Sequence, residues 1–114
     1  MIINDKDFYT LWGEALASEY RDIFVAEWST SSIWGEPEEL TDESLLEIAD
    51  YLGKLWDAAH MSVKDICKDA ELTQVALATR FCIPMRTVWD WCRGVRTPPD
   101  YVRLMMIQLL GLLP

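Results

Sequence analysis

Three arginines, Arg86, Arg93 and Arg96, crowd the stretch CIPMRTVWDWCRGVRTPP, with Trp89, Asp90 and Trp91 between the first two. A guanidinium is a rigid fork of donors that fits a phosphate, or the O6 and N7 of guanine together. Upstream, Gln74 opens a helical stretch, where its amide and the helix N-terminus both suit a phosphate or a base edge. Other chemistry is sparse. Cys67, Cys82 and Cys92 have no paired spacing and His60 is the single histidine, so neither a disulfide scaffold nor a metal site is expected, and no cofactor. No nucleophile–base set or phosphate loop is present, which argues against an enzyme. Glu36, Glu38 and Glu39 read as a solvated loop.

The elements that must position the arginines are helical. Hydrophobic residues make up 51% and charged residues 25% of 114 residues, a globular composition with six tryptophans to fill a core. The charge is uneven. Residues 1–59 hold 14 acids against 3 bases, a balance of −11, and residues 60–114 hold 5 against 7, a balance of +2. The start MIINDKDFY has no basic leader, and no apolar run approaches the ~20 residues of a membrane span. A cytoplasmic protein with reduced thiols is the expectation.

Asn4 or Asp5 is expected to cap a first helix with Phe8, Leu11, Trp12, Ala15, Leu16 and Tyr20 on its apolar side. Asp22 to Trp28 reads as helix over strand, and 29–39 as loop. Thr41 caps a third helix striped with Leu45, Ile48, Ala49, Leu52, Leu55, Trp56 and Ala59. Ser62 and Asp65 form a capping-box variant, Thr73 caps the helix from Gln74 to Phe81, and Cys82-Ile83 is a tight turn. Pro84 suits the first position of a helix that runs to about Cys92 and stops at Gly94. Asp100 to Leu110 forms the last helix, whose Met105, Met106 and Leu-rich end serve as core or dimer seam. The chain is all-α, with an acidic helical extension over 1–60 and a second domain over 61–114.

LTQVALATRFCIPMRTVWDWCRGVRTPPDYVRLMMIQLLG resembles the helix-turn-helix domain of the lambda-repressor-like (Xre) family. Leu72-Thr73-Gln74, Leu77-Ala78, Thr87-Val88, Trp91, Gly94 and Arg96-Thr97-Pro98 fall in the family's register. The resemblance covers 61–114 and implies a four-helix DNA-binding fold. It implies that Met85, Arg86 and Asp90 face bases with Gln74 in support, that Thr87 belongs to the same DNA-binding set, and that Arg93 and Arg96, with Val95, face phosphates. Arg86 would fork onto guanine, and Asp90 would either accept from cytosine N4 or serve a role other than reading. It also implies a core position for Trp91. Trp89 lies on another face and is expected to pack against the N-terminal half rather than touch nucleic acid. Where many members bury an Arg–Glu ion pair, this chain has Cys67 and Cys92, which leaves no orphan charge. Cys82 stands where glycine is common, so it must take a left-handed conformation or use another turn.

Two functions remain open at this point. One is a DNA-binding regulator, a homodimer on double-stranded DNA, because a single short helix gives too little affinity alone. The other is an acidic protein-interaction module on a helix-turn-helix scaffold that does not read DNA, engaging a basic partner through residues 1–59. Neither reading involves a membrane.

Overall fold

The computed structural model describes residues 3–114, and among them every regular element is helical. The α-helices are α1 (Asp5–Ala17), α2 (Arg21–Ser29), α3 (Asp42–Ala59), α4 (Val63–Asp69), α5 (Gln74–Phe81), α6 (Met85–Cys92) and α7 (Asp100–Leu109). No helix among the described residues is long and apolar enough to cross a membrane. The chain divides into two compact units, 1–60 and 61–113, with Pro114 grouped with the first.

In the first unit, α1 and α2 both pack on α3. Local chemistry starts two of these helices. The Asn4 side chain accepts from the Asp7 amide at 2.8 Å, and Thr41 accepts from Ser44 at 3.1 Å. The first helix ends sooner than its apolar spacing predicts. Ser18 caps α1 after Ala17, and its hydroxyl donates to the Tyr20 carbonyl at 3.2 Å. Tyr20 therefore lies outside the helix and is exposed, because a side-chain hydrogen bond outcompetes one more helical turn. Residues 29–39 are not an open loop throughout: Ser32–Trp34 and Pro37–Glu39 each form a 3-10 turn. Trp34 fastens this segment, its indole donating to the Trp28 carbonyl at 2.7 Å while its ring meets Tyr51 edge-on. The Tyr51 phenol is pushed above its ordinary pKa by burial.

Leu11, Trp12, Ala15, Phe24, Ile48, Leu52 and Leu55 are buried among these three helices. His60 ends α3, and its Nε2 lies 2.8 Å from the Ala15 carbonyl. A carbonyl only accepts, so Nε2 carries the proton and donates. The same ring stacks on Trp56 at 4.0 Å, which makes His60 a packing residue. Gly53, in the middle of α3, leaves room for the Arg21 guanidinium to cross the helix and pair with both Asp57 oxygens at 2.9 and 3.2 Å. A Cβ there would meet that guanidinium, so Arg21 would have to shift aside on its flexible, half-exposed stem.

The second unit packs α4 against α5, α6 and α7, and α5 against α6. Ser62 and Asp65 close both halves of a capping box, and Thr73 accepts from the Ala76 amide at 3.0 Å. Val63, Ile66, Leu77, Ala78, Val88, Met106 and Ile107 are among its buried apolar side chains. Arg103 is nearly buried on α7 and ties the start of the unit to that helix. It donates to the Met61 carbonyl and to Asp100, both at 2.9 Å.

Candidate functional site

The turn between α5 and α6 fixes how α6 is presented. Cys82 caps α5 in the left-handed conformation, φ 54° and ψ 41°, and the Ile83 amide closes back on the Ala78 carbonyl at 2.9 Å. Cysteine therefore takes the conformation glycine would take more cheaply. Pro84 stands just before α6 rather than at its first position, and its carbonyl accepts from Thr87 at 2.9 Å. Val88 is the fully buried apolar residue of α6. Trp91, expected in the core, is only partly covered.

At the other end of α6, Gly94 adopts φ +75° and turns the chain back. The Asp90 carbonyl then accepts from the amides of Val95 at 2.9 Å and Arg96 at 3.3 Å. Its carboxylate is equally engaged. Arg93 donates to one oxygen at 2.7 Å, Arg86 Nε lies 3.5 Å from the same oxygen, and Arg96 Nε lies 3.5 Å from the other. Helical spacing explains two of the three: Arg86 is four residues before Asp90 and Arg93 three after it. The Gly94 turn supplies the third. Beneath these guanidinium groups Asp90 is 3% exposed, and no buried side-chain polar atom among the described residues lacks a partner.

Asp90 thus does not stand free to meet a base edge, as the family register implies. It gathers three cations instead, and the Arg86 side chain stays 79% exposed above it. The hydrogen bond from Arg93, and the charges of Arg86, Arg93 and Arg96, hold the Asp90 carboxyl below its usual range against the opposing pull of burial. Because the folded value is depressed, this stabilisation is complete at pH above the ordinary carboxylate range. It is lost as acid protonates the group below about pH 4. Asp90→Asn should therefore melt lower than wild type at pH 7, and the two melting temperatures should converge on acidification toward pH 3. Parallel melting curves across that range would contradict this account.

The other expected site residues separate from this cluster. Gln74 is the first residue of α5, and Met85 and Thr87 are partly covered on α6. No hydrogen bond or ion pair among the described residues joins their side chains to the Asp90 cluster. Val95 is exposed beside it. Trp89 departs furthest from expectation. It is 49% exposed, and it lines a shallow open cleft with Arg86 and Arg93 alone. The signal was present in the sequence: residues 86, 89 and 93 follow the 3–4 spacing of one helix face.

Cys67 and Cys92 are both free thiols, Cys67 buried and Cys92 partly covered. Burial pushes both above the ordinary thiol value, and the neighbouring Cys92 adds to the rise at Cys67. No family model, curated protein or solved structure gives a significant match to this chain.

Proposed function

We propose that the second unit is a helix-turn-helix DNA-binding domain of the lambda-repressor-like kind, and that the protein is a transcriptional regulator acting as a dimer on double-stranded DNA. In this reading α6 enters the major groove. The observation that carries it is the outward face of α6 and its following turn. Arg86, Arg93 and Arg96 are held side by side around one carboxylate, with two positive charges in excess. Arginine side chains are costly to order, and a shared anion orders them before any ligand arrives. Arg86 then forks onto a guanine, while Arg93 and Arg96 neutralise phosphates. Gln74, at the first turn of α5, adds its amide to the phosphate or base contact.

The test is duplex-DNA binding measured from 50 to 200 mM salt. Each phosphate neutralised adds close to −0.9 to the slope of log K on log salt. Arg93→Ala and Arg96→Ala should each flatten that slope by about 1 and weaken binding evenly across sequences. Unchanged slopes would remove both residues from the DNA contact. If no duplex is bound even at 50 mM salt, the second reading takes its place. The observation favouring it is a groove beside α2 where Glu14, Glu19 and Glu27 border the exposed side chains of Tyr20 and Ile23. No ion pair engages those three carboxylates among the described residues, and such a surface fits a basic protein segment.

A further inference from the structure

We propose that Trp89 is a sequence-reading residue, and that the apolar face of its indole takes the 5-methyl group of a thymine adjacent to the guanine held by Arg86. This rests on the duplex-DNA reading above. The exposed stripe of α6 and its C-cap consists of Arg86, Trp89 and Arg93, with the buried Val88 turned the other way. A helix entering a groove leads with such a stripe, so Trp89 goes in between the two arginines. Its ring is also uncommitted. The ring contacts among the described residues are Phe8 with Tyr9 and with Trp12, Trp34 with Tyr51, and Trp56 with His60. The arginines flank the indole and pair with Asp90, and neither stacks on it.

The chemistry selects the ligand. Base edges in the major groove present mostly hydrogen-bonding groups, and the thymine 5-methyl is the one apolar group that projects from them into the groove. An indole face laid on any other edge would strip water from donors and acceptors and return nothing. Against a methyl it buries apolar surface on both sides. Spacing fixes the neighbour: three residues of α6 rise about 4.5 Å, close to the ~3.4 Å step between base pairs. A guanine under Arg86 and a thymine under Trp89 therefore belong to consecutive pairs.

The experiment begins by selecting duplexes from a randomised pool with the wild-type chain. Affinity is then measured on the selected sequence with each thymine replaced in turn by uracil, which lacks only that methyl. One thymine next to an Arg86-dependent guanine should weaken binding about fourfold on replacement, the value of one buried methyl-sized group. Trp89→Ala should bind thymine and uracil duplexes equally, and Trp89→Phe should keep part of the preference. The base swap is made on the DNA, so the wild-type measurement stands even if a variant folds poorly. Duplex binding with no thymine-to-uracil effect overturns the role of Trp89 and leaves the domain a DNA binder. The same holds if Trp89→Ala discriminates as well as wild type. Equal discrimination on the single strand also overturns it, since stacking would then replace the groove contact. Absence of any duplex binding removes the underlying reading and this inference with it.

Discussion

Arg86→Ala should lower affinity for the selected DNA sequence by about 5- to 150-fold, corresponding to ~1–3 kcal/mol for one forked contact to guanine. Binding to unrelated duplex should fall far less. The reasoning starts from exposure: the Arg86 side chain is 79% accessible and makes one ion pair, at 3.5 Å, to a carboxylate that Arg93 and Arg96 also hold. Its removal leaves Asp90 paired, so the fold and melting temperature should be nearly unchanged. Competition binding with specific and unrelated duplexes measures both numbers at one salt concentration. An equal loss on the two DNAs would make Arg86 a phosphate contact and take sequence reading away from it.

Leu77→Ala should destabilise the chain by about 2–5 kcal/mol, the usual range for emptying a fully buried leucine site. Leu77 is completely buried on α5, the helix that packs against both α4 and α6. Domains of this size have only some 5–15 kcal/mol in hand, so the loss is a large fraction of the whole. Urea unfolding followed by tryptophan fluorescence should show a lower midpoint with an unchanged slope. DNA binding should weaken through the unfolded fraction and recover on cooling toward the temperature of maximum stability. A cost below about 1 kcal/mol would mean that α5 does not hold α6 in the way the buried contacts indicate.

The two substitutions separate contact from scaffold, and the same division runs through what the sequence disclosed. Helix starts were legible because they depend on atoms three residues apart. Asn4, Thr41, Ser62 and Thr73 each accept from the backbone amide three positions on, whatever the rest of the chain does. The end of α1 was less legible. Tyr20 sits at helical spacing from Leu16, and the hydrogen bond from Ser18 that releases it is a competition too close to decide from pattern.

On α6 the residue types were read more accurately than their directions. The 86–90–93 spacing marks an ion-pair ladder on any helix, but it leaves Asp90 open between a base contact and another role, and the register turns Trp89 toward packing. The structure buries Asp90 and leaves Trp89 half exposed. The reason is cumulative: burying Val88 sets the rotation of α6, and Gly94 returns the chain so that Arg96 closes over the carboxylate. The stop at Gly94 is a local signal, but the rotation of α6 and the closure of Arg96 over Asp90 are not encoded in a local pattern.

Sequence alone determined the all-helical class, the caps and the concentration of arginine near α6, because these follow from composition and from contacts within one helical turn. Tertiary structure decided which side of α6 meets solvent, because rotation about a helix axis is fixed only by what the other helices bury. It thereby made Asp90 the anchor of the arginines and left Trp89 exposed among them.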